Sequence, residues 1–125
     1  MKAKLLTETE LELMNILWRL EEGSVADVMA ALPSARPLAY TSVSTILRIL
    51  EQKGILRSRK EGRGHIYIPK IKKAEYEART IRHVVERVFD NTPSALVRQL
   101  LGSIEINETE LAEIRALIDG AQAPK

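Results

Sequence analysis

The chain contains no cysteine, which removes disulfides, thiolate metal sites and a cysteine nucleophile together. Aromatic residues make up only 4% of its 125 residues, so any core rests on aliphatic side chains. At this length such a core is modest, and oligomerisation is a common remedy. No apolar run approaches the roughly 20 residues needed to cross a bilayer. The N-terminal Met1-Lys2-Ala3-Lys4-Leu5-Leu6 runs directly into acidic residues and lacks the apolar stretch of a signal peptide, so a soluble cytoplasmic protein without a membrane partner is expected. His65 and His83 are the only histidines. His83 has no partner at metal-ligand spacing, and His65 reads as a turn residue or phosphate contact. With no Ser-His-Asp order and no glycine-rich phosphate loop, the sequence suggests neither an enzyme nor a cofactor or metal site.

Charge is present but unevenly placed. The formal net charge is +2, yet residues 36–73 hold ten Lys or Arg against Glu51 and Glu61, a local excess of +8. Residues 1–35 and 74–125 each carry −3. A concentrated basic stretch of this kind is the footprint of a polyanion-binding surface.

Periodicity and turn chemistry divide the chain into elements. Thr7-Glu8-Thr9-Glu10 fits a capping box, opening a helix whose apolar residues Leu11 to Leu20 cover more than half of its circumference; Gly23 is expected to end it. Ser24 caps a short second helix through Leu32, closed by Pro33. Leu38-Ala39 reads as a very short strand. From about Thr41 a third helix carries Val43, Ile46, Leu47 and Leu50 on one clean stripe, ending at Lys53-Gly54. Residues 55–60 and 65–68 alternate around Glu61-Gly62-Arg63-Gly64, a hairpin with two glycines at its tip; Pro69 stops the second strand. A long helix follows from Lys73, with Ile81, Val84, Val85, Val88 and Phe89 on its stripe and Glu75–Arg79 and Arg82–Glu86 as i,i+4 pairs. Asn91-Thr92-Pro93 breaks it, with Thr92 as cap of a helix that Gly102 ends. Asn107-Glu108-Thr109-Glu110 is a second capping box. The expected fold is mainly α with a small β-hairpin: a winged helix-turn-helix domain over residues 5–71, a helical domain over 72–120 and a flexible tail at 121–125.

In that order of elements the third helix enters the major groove of double-stranded DNA. Its outer face offers Thr41, Ser42, Ser44, Thr45, Arg48 and Gln52, all able to bond base edges or phosphates. The alternative is a merely solvated surface, but such a surface normally mixes both charge signs, and this one is nearly free of acids. Arg63 between two glycines makes the candidate wing, with Arg57 and Lys60 behind it as further candidate contacts; Arg57, Arg59 and Lys60 can each point either way. Trp18 reads as core. The apolar faces formed by Ile81, Val84, Val85, Val88, Phe89, Leu96, Leu100, Leu111, Ile114 and Leu117 have too little DNA-binding domain left to pack on. They therefore pack with one another or pair two subunits. A protein-interaction module or an RNA binder without operator specificity is the alternative reading.

The segments Leu6-Thr7-Glu8-Thr9-Glu10, Met14-Asn15-Ile16-Leu17-Trp18, Tyr40 to Arg48, Leu50-Glu51-Gln52-Lys53-Gly54 and Pro93-Ser94-Ala95-Leu96-Val97, in this order, resemble the penicillinase repressor (BlaI/MecI) family of bacterial transcriptional repressors over nearly the whole chain. The resemblance implies a homodimer with a C-terminal dimerisation domain, occupying an inverted-repeat operator, including operators of β-lactam-resistance genes. It also implies a sensor-protease pathway that cuts the repressor at an Asn-Phe pair in the penultimate helix; this chain has Arg98-Gln99-Leu100 in that neighbourhood and neither residue of the pair. The cysteine cluster of a copper-responsive branch is absent.

Overall fold

The computed structural model describes residues 5–121, which fall into two compact units, the first ending at Arg82 and the second beginning at His83. Six helices and one antiparallel hairpin follow in the order α1 (Glu8–Leu20), α2 (Val25–Ala31), α3 (Tyr40–Gln52), β1 (Leu56–Glu61), β2 (Gly64–Pro69), α4 (Lys73–Arg87), α5 (Pro93–Ser103) and α6 (Glu108–Gly120). No helix among the described residues is long and apolar enough to cross a membrane.

Local chemistry starts the helices where the sequence suggests. The Glu10 amide donates to Thr7 Oγ1 at 3.2 Å while Thr7 N donates to Glu10 Oε1 at 2.9 Å, a complete capping box on α1. Ser24 and Asp27 form the same reciprocal pair on α2, at 3.0 and 3.1 Å. The end of α1 differs from expectation. Glu21 takes the positive φ of 76° that terminates it. Gly23 instead joins the hairpin, where its N–H and C=O bond Tyr67 of β2 at 3.0 and 2.8 Å. That single bridge places a short third edge beside the two strands. Leu38 and Ala39 form no strand; they lead into α3, with Ala39 as its N-cap.

The first unit closes around Leu13, Met14, Ile16 and Leu17 of α1, Val25 and Val28 of α2, Val43, Leu47 and Leu50 of α3, Leu56 of β1 and Tyr67 of β2. The wide apolar arc of α1 lets it pack on more than one side. Trp18 lies at the rim of this core, half-buried; its indole N–H donates to the Ile71 carbonyl at 2.9 Å and its ring meets Tyr76 at 5.7 Å. The Leu6 amide in turn donates to Tyr76 Oη at 3.0 Å. Buried Ile71 and Tyr76 thus tie the start of α4 to α1, so the first unit reaches further along the chain than residue 71.

Glu10 is the one buried acid among the described residues, 7% exposed. Burial alone would raise its pKa, but the Lys53 ammonium at 2.8 Å and the Thr7 amide outweigh it and hold the carboxyl below its ordinary value. A carboxyl depressed in the folded state stabilises fully above its unfolded pKa and loses that contribution as pH falls through the folded one. Glu10→Gln is therefore expected to lower stability at pH 7 by roughly 1.5–3 kcal/mol, the scale of a hydrogen bond to a charged group. The melting curves of variant and parent should converge in acid. A constant difference from pH 7 to pH 3 would show that the charge is irrelevant.

The second unit contains the end of α4, α5 and α6. Helix α4 stops at Arg87, before Val88 and Phe89, because Asp90 and Asn91 take φ of 51° and 59° and turn the chain before Pro93 is reached. Short polar side chains tolerate this left-handed conformation best after glycine. The Glu75–Arg79 pair forms at 2.7 Å, whereas Arg82 and Glu86 do not meet. Pro93 holds the first position of α5, but Thr92 does not cap it through its side chain: its hydroxyl donates to the Asp90 carbonyl at 3.1 Å. Gly102 lies inside α5, which runs on to Ser103. Asn107 Oδ1 accepts the Glu110 amide at 2.8 Å, half of the expected box. Ala121 caps α6, and residues 122–125 of the expected tail lie outside the described residues. No residue of α5 or α6 is buried.

Candidate nucleic-acid interface

Helix α3 is positioned by its apolar stripe. Val43, Leu47 and Leu50 are fully buried against α1 and α2, which forces the opposite face outward. Thr41, Ser42, Thr45, Arg48 and Gln52 are exposed there, and Ser44 is half-buried at the margin. Glu51, the one acid of α3, is turned to the hairpin and accepts the Ser58 hydroxyl at 2.7 Å. The outward face therefore carries a guanidinium, hydroxyls and an amide, with no carboxylate. Unlike α1, α2 and α6, α3 has no side-chain cap, so no side chain occupies its first-turn amides.

The hairpin register decides which cations accompany α3. Ser58 stands opposite Tyr67 and Lys60 opposite His65; alternation puts Leu56, Ser58 and Lys60 on the face that meets the core. Lys60 and His65 extend this face past the core toward the tip, both exposed. Arg57 and Arg59 lie on the other face. There Arg59 holds Glu22 through two hydrogen bonds of 2.9 and 2.8 Å, which lower the Glu22 pKa, and Arg57 adds to the same field. The tip is tighter than expected: Glu61 pairs with Gly64, leaving only Gly62 and Arg63 in the turn. Gly62 has φ of 60° while Arg63 stays at negative φ, the pattern of a type II′ turn.

Ion pairing trims the basic stretch. Arg36 bonds Glu12 at 3.1 Å, Lys53 bonds Glu10 at 2.8 Å and Arg59 bonds Glu22 at 2.8 Å. The other seven cations of residues 36–73 have no carboxylate partner within salt-bridge distance among the described residues. Arg48, Lys60 and Arg63 are thus exposed cations without an internal carboxylate partner, Lys60 on the hairpin face that meets the core and Arg57 on the other. The sequence pattern does not single out two exposed apolar residues of α3, Tyr40 and Ile49, at 57% and 38% exposure. The signal for them is their position off the apolar stripe.

With this geometry in place, comparison with known proteins is decisive. The penicillinase repressor family matches residues 6–120. The chain belongs to that family. It is a transcriptional repressor, not an enzyme. Among its relatives, the penicillinase repressor of Bacillus licheniformis is 24% identical over 91% of this chain and 89% of its own length. The methicillin resistance regulatory protein MecI of Mammaliicoccus sciuri is 18% identical over 91% of this chain and 93% of its own. The solution structure of monomeric Bacillus licheniformis BlaI in complex with the blaP half-operator is 30% identical, with a TM-score of 0.51, over 61% of this chain and 94% of that one. The first three helices and the hairpin are accordingly a winged helix of the penicillinase repressor type.

Proposed function

We propose that this penicillinase repressor homologue is a homodimer that represses transcription by occupying an inverted-repeat operator, with β-lactam-resistance or related genes under its control. The reading rests on one observation above all: the outward face of α3 is free of acids and its Arg48 has no internal partner, while the opposite face is sealed into the core. In this reading Thr41, Ser42, Ser44, Thr45, Arg48 and Gln52 meet base edges and flanking phosphates, and Lys60 and Arg63 hold the backbone as a wing. Arg57, on the far side of the hairpin, is assigned at most a long-range attraction. BlaI bound to a half-operator supports DNA as the partner. The apolar surface of α5 and α6 supports pairing of two subunits, which would set two reading helices about one duplex turn, or a multiple, apart. A sensor-protease acting at Arg98-Gln99-Leu100 would first have to open α5 locally, since these residues lie within it.

Selection of genomic fragments by the purified protein at physiological salt, followed by sequencing, tests the proposal. An inverted repeat in front of a coding region is the expected product. Fragments without symmetry, or stronger retention of RNA than of duplex DNA, would sink it.

The salt dependence of binding separates the hairpin's two faces. Each phosphate contact contributes close to one counterion to the slope of log K against log salt. Lys60→Ala is expected to weaken binding to all duplexes alike and to flatten that slope by about one per subunit. Arg59→Ala should leave the slope unchanged, because Glu22 already occupies that guanidinium. Equal slopes for the Lys60 variant and the parent would place Lys60 off the DNA.

A further inference from the structure

One exposed side chain on α3 is not accounted for by hydrogen bonding or by the core. Ile49 is 38% exposed and does not belong to the side chains packed against the core cluster. At 100° per residue it stands roughly 80° round the helix from Thr41, on the flank shared by Ser42 and Thr45. Tyr40, the other exposed apolar residue of α3, occupies the opposite flank with Glu51, whose carboxylate accepts the Ser58 hydroxyl of the hairpin at 2.7 Å. The Ile49 flank is therefore the one turned away from the wing. A β-branched residue has lower helix propensity than the residues that usually fill a wet helix face, so Ile49 favours neither the helix nor the core. Single exposed apolar residues are common on protein surfaces. This one stands among the hydroxyls of Ser42 and Thr45, on the face proposed to enter the groove.

We propose that Ile49 is a specificity residue that reads the 5-methyl group of thymine in the major groove. The inference rests on α3 being the groove-reading helix. Thymine is the base that presents a methyl group on its major-groove edge, and an apolar side chain answers it where a hydroxyl or amide cannot. The stiff χ1 of isoleucine keeps its two branches in one place, so little rotamer freedom is lost on contact. The γ-methyl of Thr45, one turn earlier, widens the same apolar spot. With Arg48 suited to a guanine edge, each half-site would carry a guanine and a thymine as near neighbours.

Deoxyuridine in place of thymine deletes that methyl group and nothing else on the base edge. The full-length protein is titrated onto the duplex recovered by genomic selection, with each thymine replaced in turn. One replacement per half-site is expected to weaken the parent by about three- to tenfold, the scale of one or two buried carbon groups. Ile49→Ala should bind the unmodified duplex more weakly by a similar factor and be indifferent to that replacement, while Ile49→Val keeps most of the effect. If the parent prefers the recovered duplex over random DNA yet no replacement affects parent and Ile49→Ala differently, the role of Ile49 is overturned and the repressor reading stands. If the parent does not prefer that duplex at all, both are overturned.

Discussion

Arg48→Ala is expected to cost roughly 1–3 kcal/mol of operator affinity per half-site and to relax the base preference at a single position in each. The size follows from what the substitution removes. A guanidinium can bond a guanine edge through two parallel hydrogen bonds, and no other side chain on the outward face of α3 offers that fork. Because Arg48 is exposed and free of any internal ion pair, its loss should not disturb the fold; alanine, the best helix former, would if anything steady α3. An unchanged melting temperature therefore belongs to the prediction. Affinity measured at fixed salt against the operator and its single-base-pair variants distinguishes two roles. A loss confined to one base pair per half-site assigns Arg48 to base reading, whereas the same loss on every duplex makes it a phosphate clamp.

Leu117→Asp should separate the subunits of the proposed homodimer. Leu117 is 64% exposed and Ile118 beside it 62%, and Leu101 and Ile104 of the preceding segment are 47% and 57% exposed. Apolar surface of this density on elements without a single buried residue is what an obligate partner covers. An aspartate at a position that stayed wet would cost almost nothing. Buried in a subunit interface with no cation to meet it, the same carboxylate costs several kcal/mol. Sedimentation at micromolar concentration should then show a monomer of unchanged helicity. Operator binding should fall by about two orders of magnitude or more, because the second half-site is no longer held at high effective concentration. A variant that remains dimeric would remove Leu117 from the interface, and a parent that sediments as a monomer would refute the homodimer.

Much of the winged unit is legible in the sequence, because its signals are local. Thr7 with Glu10, Ser24 at the start of α2, and the Val43-Ile46-Leu47-Leu50 spacing each lie within a few residues, and all three are realised. What stays hidden depends on partners far along the chain. Gly23 reads as a helix stop because nothing near it reveals Tyr67, its distant bridge partner. Ten cations look alike in the string, but Glu10, Glu12 and Glu22, all outside the basic stretch, engage three of them. The most conspicuous breaker after α4 is Pro93, although Asp90 and Asn91 bend the backbone first. The outward face of α3 is legible in its polar members, since absence of acids is visible in a string. Its apolar member Ile49 is harder to see, since an isoleucine reads as core and only its position off the Val43-Ile46-Leu47-Leu50 stripe sets it apart.

The bridge between Gly23 and Tyr67 has a consequence for association. A lone two-stranded hairpin is marginal in water, and a wing of that kind would sample many orientations and surrender them on meeting a duplex. Here β2 is paired with β1 along one edge and bonded through Tyr67 to Gly23 on the other, and Tyr67 and Leu56 are anchored in the core at 5% and 1% exposure. Lys60 and Arg63 are therefore carried on a stiff strand pair, and binding forfeits little conformational freedom in the wing. Even the size of residue 23 matters to that stiffness. A Cβ there would stand 3.2 Å from Cβ of Asp27, the residue that accepts the Ser24 amide in the capping box of α2, so the glycine keeps the wing's edge and the helix pair in register with each other.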